Sequence, residues 1–184
     1  MSKRLIFLGP PGAGKGTQAE RLATVAAIPH ISTGEIIRGA IAQQTPLGQK
    51  AKSYVDAGDL VPDSLILDLI RERLQQPDTA SGWILDGFPR NVSQAEFLDR
   101  LLRELNQDGV CVISLNVPEE VLVSRLLGRQ RQDDNETTIR HRLDVYHQET
   151  RPVIEFYRDR GLHIVDGDRS PDAVGATLQE LVNA

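Results

Sequence analysis

The sequence predicts an open α/β fold in which helices cover both faces of a parallel β-sheet. Short, continuously apolar segments alternate along the chain with longer segments of helical character, which is the order of β-α units. The apolar segments lack the polar alternation of strands that face water, so we expect them to be buried on both faces. A glycine-rich turn follows the first apolar segment, at the edge where such a sheet binds ligands.

Each element of this fold can be placed from its local pattern. The predicted strands are residues 4–8, 30–31, 83–85, 110–115 and 163–165. The predicted helices are residues 16–25, 35–43, 47–57, 64–74, 93–105, 119–127, 137–160 and 172–182. Ser32 and Glu35 form a capping-box pattern, and Asp63 is expected to cap the helix that follows it.

Two segments interrupt the simple alternation of strands and helices. Residues 32–61 contain two predicted helices with no strand of their own, which predicts a helical insertion. Residues 128–136 form a polar, arginine-rich connection between two helices, which predicts a loop. The remaining chain is expected to form a single core, and 184 residues are enough for one domain with a substantial core.

Composition and charge indicate which binding partners and which cellular compartment to expect. A net charge of −5 argues against a broad nucleic-acid or acidic-membrane surface. Cys111 is the single cysteine, so neither an intramolecular disulfide nor a cysteine pair for zinc can form, and a cytoplasmic location is expected. No run of about 18 apolar residues predicts a membrane span. The four histidines lack metal-like spacing and are interpreted as structural.

The glycine-rich turn, residues 9–17 (GPPGAGKGT), has the character of a phosphate cradle. Glycines allow backbone N–H groups to curl around an anion, and the following helix adds its positive N-terminal end. Lys15 adds a full charge that can reach the terminal phosphates of a nucleotide. Gly16 stands where a Mg²⁺-binding hydroxyl commonly follows this lysine, so we expect Mg²⁺ to be held mainly by substrate phosphates and water.

Arginines cluster around two further segments of the chain. The sequence Asp-Gly-Phe-Pro-Arg at residues 86–90 follows the predicted strand 83–85, and Arg38 lies one turn into an early helix. Further arginines lie on or around the 128–136 connection, namely Arg125, Arg129, Arg131 and Arg142. The planar guanidinium group binds phosphate with two hydrogen bonds, so this set favours phosphoryl transfer, which needs positive charge around the moving group.

Over essentially its full length, the chain resembles the adenylate kinase family of nucleoside monophosphate kinases. The resemblance is carried by residues 9–17, 31–38, 58–62, 86–90 with Gln94, and 131–142. It implies a P-loop NTPase fold of three α/β/α layers with a five-stranded parallel sheet, a helical NMP-binding insertion at residues 32–61 and a minimal lid loop. It also implies reversible phosphoryl transfer from MgATP to AMP, giving two ADP, by a monomeric enzyme.

The resemblance implies a role for each matching residue on the ATP side. The phosphates of ATP are expected to lie on Gly12, Ala13, Gly14, Lys15, Gly16 and Thr17. Lys15 would stabilise the transferring phosphoryl group, Arg129 would bind ATP, and Asp86 would orient Mg²⁺-bound water. Gly167 and Arg169, with Asp168 between them, fall where the family's loop over the ATP adenine lies.

The resemblance also implies the AMP-binding and catalytic residues. AMP is expected to contact Thr33, Arg38, Asp59, Leu60, Val61, Gly87, Phe88, Pro89, Arg90 and Gln94. Arg131 and Arg142 would clamp the phosphates of both substrates, and Asp133 with Asp134 would support closure of the lid. The expected catalytic cations are Lys15, Arg38, Arg90, Arg129, Arg131 and Arg142.

Base preference and lid length follow from the same comparison of motifs. Thr33 and the Gln-Ala-Glu sequence from Gln94 match the AMP-using type. The related uridylate-cytidylate kinases resemble this chain but have Ala at the position of Thr33. Only Gln130 separates Arg129 from Arg131, where long family lids carry a small domain that often holds four zinc-binding cysteines. We therefore expect no structural zinc, and we expect ATP hydrolysis without acceptor to stay slow because the arginines are retained.

Two other functions remain open at the level of sequence. Another small-molecule kinase with a different acceptor would share the phosphate cradle and the arginines. A nucleotide-dependent switch would share the cradle alone, but the Asn-Lys-x-Asp motif that such GTP-binding switches usually carry is absent from the chain. A panel of acceptors separates the two kinase interpretations.

Overall fold

The fold is seen in a computed structural model, which describes residues 3–129, 131 and 134–183. Its strands are β1 (Lys3–Leu8), β2 (His30–Ser32), β3 (Gly82–Asp86), β4 (Cys111–Asn116) and β5 (Leu162–Asp166). Its α-helices are α1 (Lys15–Ala26), α2 (Thr33–Ala42), α3 (Pro46–Ala57), α4 (Asp63–Leu74), α5 (Val92–Glu104), α6 (Glu119–Arg129), α7 (Glu136–Val145), α8 (Arg151–Tyr157) and α9 (Pro171–Asn183). A short 3₁₀ turn, Pro77–Thr79, precedes β3.

The five strands form one parallel sheet in the order β2-β3-β1-β4-β5, which confirms the predicted five-stranded parallel sheet. The register places Phe7 of β1 beside Asp86 of β3 and Ile113 of β4. The carboxyl ends of the central strands therefore meet at one edge. The order reverses on either side of β1, and the crevice outside the strand ends at such a point binds ligands.

Apolar side chains from both faces of the sheet form two buried clusters. Ile6, Trp83 and Leu85 pack on one face with residues of α4, α5 and α8. Leu5, Phe7, Ile84 and Ile113 pack on the other face with residues of α1, α6, α7 and α9. Because alternate residues of each strand point to opposite faces, continuously apolar strands fill both layers. The three-layer α/β/α arrangement is confirmed.

The start of α4 differs from the sequence prediction. Asp63 was expected to cap this helix, but Pro62 occupies the N-cap position and its carbonyl accepts a hydrogen bond from the Leu65 N–H at 2.9 Å. Asp63 is already the first helical residue, so its carboxylate is not placed to cap the N–H groups of the first turn. It accepts a hydrogen bond from Gln94 instead. The predicted cap at Ser32 is confirmed, with its hydroxyl accepting from the Glu35 N–H at 3.4 Å.

The single helix predicted over residues 137–160 is divided in the structure. Helix α7 ends at Val145, the π-helical turn Tyr146–Thr150 follows, and α8 begins at Arg151. Pro152, at the start of α8, has no N–H to donate and crowds the carbonyl of the preceding turn, so the backbone widens there. The wide turn brings Tyr146 and Thr150 to the wall of the cleft described below.

The segment between β2 and α4 contains α2 and α3, which pack against each other, as expected for the predicted helical insertion. Its assignment as a unit over residues 32–61, like that of a lid over residues 128–136, stays a prediction. Within that second segment, Gln130, Gln132 and Asp133 lie outside the described residues. Among the helices that the structure describes, none is both long enough and apolar enough to cross a bilayer.

Candidate functional site

A cleft of about 820 Å³ opens at the carboxyl ends of β1 and β3. Its walls come from the turn after β1, the segment after β3, helix α2, the segment after α3, and the facing ends of α6 and α7. The structure brings to this one cleft all the residues expected to bind ATP or AMP, together with Asp86: Gly12, Ala13, Gly14, Lys15, Gly16, Thr17, Thr33, Arg38, Asp59, Leu60, Val61, Asp86, Gly87, Phe88, Pro89, Arg90, Gln94, Arg129, Arg131, Arg142, Gly167 and Arg169.

The turn between β1 and α1 depends on glycine. Gly12 and Gly14 have φ angles of 85° and 92°, in the left-handed region that other residues rarely adopt. A Cβ at Gly12 would also lie 3.0 Å from Leu126 Cγ and 3.2 Å from the Leu122 carbonyl oxygen. The turn therefore packs directly on α6 and leads into the N-terminus of α1, where backbone N–H groups have no helical partner.

Lys15 lies under this turn with its ammonium group held by the backbone. Its Nζ donates to the carbonyl oxygens of Gly9 at 2.8 Å and Pro10 at 2.9 Å. Burial, and then the charges of Arg90 and Arg129, lower the pKa of Lys15 to about 8, against an opposing effect of Asp86. The ammonium group is therefore poorly compensated, and a polyanion in the cleft would restore its charge balance.

Asp86 is the buried carboxylate at the end of β3. Its Oδ2 lies 3.6 Å from His30 Nε2, and a Cβ at Gly16 would lie 3.6 Å from the same oxygen. Burial opposes ionisation, but His30 and Lys15 outweigh it, so the pKa of Asp86 lies below its usual range. One ionised carboxylate with no hydroxyl at position 16 suits a hard cation that keeps most of its water ligands, and the residues present thus fit Mg²⁺.

The segment after β3 is held from both sides. Arg90 Nε donates to the Gly87 carbonyl oxygen at 2.8 Å, and the Arg90 carbonyl oxygen accepts from Thr150 Oγ1 at 2.7 Å. Gly87 has a φ of 82°, and a Cβ there would lie 2.7 Å from Thr33 Oγ1. The backbone of residues 87–90 thus approaches helix α2 as closely as a glycine permits, with the Arg90 guanidinium on the cleft wall.

Asp134 gathers the arginines of the opposite wall. Its carboxylate accepts from Arg129 Nε at 2.8 Å and Nη2 at 2.7 Å, from the Arg131 backbone N–H at 3.1 Å, and from Arg142 Nη1 at 3.4 Å. The side chain is 0% exposed. Burial raises the pKa of Asp134, but the bonds from Arg129 and the Arg131 backbone outweigh this effect, and the net pKa is lowered. Asp133, its predicted partner in lid closure, lies outside the described residues.

The remaining cations repel one another across the cleft. Burial, and then the charges of Arg129, Arg90, Arg38 and Arg131, lower the pKa of Arg142 to about 10. The pKa values of Arg38 and Arg131 are lowered by burial and by the same neighbouring guanidinium groups. Mutual repulsion of these cations, which lowers their pKa values, is unfavourable until anions bind between them.

Helix α7 contacts the end of α3 across the mouth of the cleft. His141 Nε2 lies 2.6 Å from Asp59 Oδ1, and Arg142 Nη2 donates to the Val55 carbonyl oxygen at 3.4 Å. The interpretation of the histidines as structural gave His141 no partner. Nothing in the sequence pairs residues 82 positions apart, so this contact could not be read from the chain alone.

The loop after β5 reaches the cleft through Gly167 and Arg169. The Gly167 N–H donates to the Asn116 carbonyl oxygen at 2.8 Å, while its own carbonyl oxygen accepts from Arg125 Nη1 at 3.1 Å. Arg169 Nη1 donates to Thr177 Oγ1 on α9 at 3.1 Å. Arg125, Tyr146 and Thr150 also line the cleft, although the sequence gave none of them a specific role.

Among residues 3–129, 131 and 134–183 there is no group of three or more His, Cys, Asp or Glu side chains placed to hold a metal ion. The expectation of no structural zinc rests on the cysteine count and stays a prediction. A Mg²⁺ ion that enters with a nucleotide would need no such group, because phosphate oxygens and water complete its shell.

Comparison with known proteins agrees with this geometry. The family model described as "Adenylate kinase" matches residues 7–162. The chain is 58% identical to adenylate kinase 1 of Nostoc sp. over 96% of each chain, and 56% identical to adenylate kinase 1 of Synechocystis sp. over 99% of this chain and 98% of that relative. It is 44% identical to the adenylate kinase of Archaeoglobus fulgidus over 97% of each chain. The chain therefore belongs to the adenylate kinase family.

Proposed function

We propose that the protein catalyses the reversible transfer of the γ-phosphoryl group of MgATP to AMP, giving two ADP. The observation that carries this proposal is the convergence of Lys15, Arg38, Arg90, Arg129, Arg131 and Arg142 on one cleft beside a glycine-rich phosphate turn. Phosphoryl transfer needs little covalent chemistry from a protein, but it needs aligned substrates and positive charge around the moving group.

ATP would bind on the side of the cleft formed by the turn after β1. Backbone N–H groups from Gly12 to Thr17 would hold its phosphates, with Lys15 close to the terminal ones. Mg²⁺ bound with ATP would neutralise part of the phosphate charge. Asp86 would orient the water ligands of this Mg²⁺; support comes from its position beside Gly16, which supplies no hydroxyl to the metal. Gly167 and Arg169 would border the adenine of ATP.

AMP would bind on the opposite side, between α2 and the segment after β3. Arg38 and Arg90 would hold its phosphate. Thr33, residues 59–61, residues 87–89 and Gln94 would form the rest of its site. Support comes from the packing of Gly87 against Thr33, which makes one continuous wall from two distant segments of the chain.

The transfer itself would proceed without a covalent enzyme intermediate. A phosphate oxygen of AMP forms a bond to the γ-phosphorus as the bond from that phosphorus to the β–γ bridging oxygen breaks, so one ADP forms on each side. An AMP phosphate is already ionised near neutral pH, and no side chain has to remove a proton from it. Arg129, Arg131 and Arg142 would surround the equatorial oxygens from the wall opposite Lys15 and stabilise their charge.

We further propose that the enzyme acts as a cytoplasmic monomer with ATP, AMP and ADP as its ligands, where it would balance the adenine nucleotide pools. Support for a monomer comes from the cleft, because one chain supplies cations to all of its walls. Support for exclusion of water comes from Asp134, which holds Arg129 and Arg142 over the cleft despite the short loop. Rapid release of phosphate from ATP in the absence of AMP would contradict this part of the proposal.

The experiment that tests the proposal offers MgATP with AMP, UMP, CMP or GMP in parallel and measures the diphosphate products. We expect AMP to have by far the highest kcat/KM, because polar groups built to bind one base stay unpaired with another. A higher kcat/KM with UMP or CMP would keep the phosphate site and overturn the choice of acceptor. Binding of ATP with transfer to none of the acceptors would overturn the proposed activity.

A further inference from the structure

We propose that Asp63 is a positioning residue that fixes the side-chain amide of Gln94 in one orientation and thereby selects adenine over a 6-oxopurine base. This inference rests on the proposed function, since it concerns how the AMP site distinguishes its base. The sequence alone predicts a helix cap at Asp63. The structure instead directs its carboxylate at the one amide side chain in the AMP wall of the described cleft.

The amide of Gln94 is held at both ends by short hydrogen bonds. Gln94 lies on α5, is 3% exposed and borders the cleft. Its Oε1 accepts from the Arg90 backbone N–H at 2.7 Å, and its Nε2 donates to Asp63 Oδ1 on α4 at 2.7 Å. The two partners come from different segments of the chain, so the amide is fixed by tertiary packing.

These two partners admit one orientation of the amide. A backbone N–H can only donate, and an ionised carboxylate can only accept. Rotation of the amide by half a turn would direct the Nε2 hydrogens at the Arg90 N–H and Oε1 at the Asp63 carboxylate. Both hydrogen bonds would be lost and replaced by repulsion, at a site where Gln94 has almost no access to water.

A fixed amide can distinguish two bases that differ only in hydrogen-bonding polarity. After its two internal bonds, the amide keeps one N–H donor and one oxygen lone pair. Adenine presents an acceptor at N1 beside a donor at N6, whereas hypoxanthine presents a donor at N1 beside an acceptor at O6. An amide that rotates freely could form hydrogen bonds with either base edge. An amide held in one orientation matches only one of the two edges, which in this proposal is that of adenine.

The matched acceptors AMP and IMP test this inference, because they share ribose and phosphate and differ in this edge alone. The variant Asp63→Asn keeps the shape of the side chain but lets it donate or accept, so it no longer opposes rotation of the Gln94 amide, and only the Arg90 N–H still does. We expect the ratio of kcat/KM for AMP to that for IMP to fall about tenfold, as for the loss of one charge-assisted hydrogen bond. The KM for ATP should not change.

Two further variants separate orientation from general damage to the fold. Asp63→Glu keeps a carboxylate within reach and should retain most of the discrimination. Asp68→Asn makes the same substitution at an exposed position of the same helix and should leave the ratio unchanged. Equal loss of activity with AMP and IMP in Asp63→Asn would mean a merely structural role and would overturn the proposal.

A measurement without catalysis provides a second test in the unliganded protein. The two Nε2 protons of Gln94 should be widely separated in a ¹⁵N-correlated NMR spectrum, since one of them donates to a carboxylate. Asp63→Asn should draw them together, and Asp68→Asn should not; unchanged signals in Asp63→Asn would overturn the proposal. Failure of the wild-type protein to prefer AMP would overturn the proposed function. If the wild type prefers AMP but Asp63→Asn has an unchanged ratio of kcat/KM for AMP to that for IMP, only the assignment of Asp63 is overturned.

Discussion

The two walls of the cleft are held in place by different interactions. The sheet wall, residues 9–17 and 86–90, continues directly from the parallel strands β1 and β3, and short internal hydrogen bonds of the turn after β1 and of Arg90 and Thr150 fix it there. The helical wall, formed by Arg129, Arg131, Asp134 and α7, meets α3 through side chains such as His141 and Arg142.

This difference indicates which part of the protein can move at small energetic cost. The side chains of His141 and Asp59 are 46% and 49% exposed, and a polar side-chain contact this open to water contributes only about 0–1 kcal/mol. The sheet wall cannot separate without breaking buried strands. Both walls carry cations that repel one another, so we infer that bound phosphates draw the helical wall onto the sheet wall. Opening of that wall would then release the products.

The largest expected effect lies on the sheet wall, at Lys15. Lys15→Met should lower kcat/KM by about 10²–10³-fold, because it removes positive charge from the developing transition state. Circular dichroism should show a folded protein, since the ammonium group is poorly compensated in the native cleft. Lys50→Met, at an exposed position of α3, is the matched control and should keep full activity. A near-normal rate in Lys15→Met would refute the assigned role.

The next effect lies on the helical wall, at Asp134. Asp134→Asn would leave Arg129 and Arg142 without their shared carboxylate and should lower kcat/KM about tenfold. It should also lower the free energy of unfolding by about 1 kcal/mol, because the carboxylate is buried but its partner Arg129 is partly exposed to water. Denaturant titration checks the second effect, with Asp144→Asn at an exposed position of α7 as the control. Unchanged stability and kinetics would show that Asp134 does not organise this wall.

The pH dependence sharpens the comparison by isolating one cation of the sheet wall. Burial and neighbouring charges lower the pKa of Lys15 from 10.5 to about 8, so kcat/KM for ATP should fall above about pH 8 as the free enzyme loses this charge. The kcat profile should hold to higher pH, because bound phosphates favour the charged lysine. Lys15→Met should lack the alkaline limb of kcat/KM, and an identical limb in that variant would assign it to another group.

The same shift in pKa predicts that, as the pH rises, the contribution of Lys15 to stability improves while its contribution to kcat/KM is lost. Between about pH 8 and 10.5 the unfolded chain binds the Lys15 proton more tightly than the folded protein does. The unfavourable contribution of Lys15 is therefore complete below pH 8 and is removed as the pH rises through this interval. Denaturant titrations at several pH values should show a smaller alkaline loss of stability in the wild type than in Lys15→Met. A larger loss in the wild type would contradict this sign.

The smallest expected effect concerns the contact between α7 and the segment after α3. His141→Gln should change kcat by about two- to threefold, since an exposed pair contributes little to holding the helical wall closed. Steady-state kinetics at saturating MgATP and AMP measure this change, with His163→Gln on the exposed surface of β5 as the control. A loss as large as that in Lys15→Met would mean that His141 takes part in the chemistry.

The parts of the site that could be predicted are those encoded by adjacent residues. Residues 9–17 and 86–90 each combine a strand end, a glycine and a cation within a few positions, so their place at the strand ends follows from local pattern. The contact of Asp63 with Gln94 and that of Thr150 with the Arg90 carbonyl join residues 31 and 60 positions apart, and no local signal pairs them. The division of helix 137–160 has a local signal in Pro152. The prediction of one continuous helix gave more weight to the helical periodicity on either side of it.

The central claim is that the cations of both walls direct the γ-phosphoryl group to AMP and away from water. Initial-rate assays with [γ-³²P]ATP and unlabelled AMP measure this partition directly. We expect nearly all transferred label to appear in the β-phosphate of ADP, with little inorganic phosphate and no labelled protein. Label recovered mainly as inorganic phosphate, or bound covalently to the protein, would contradict it.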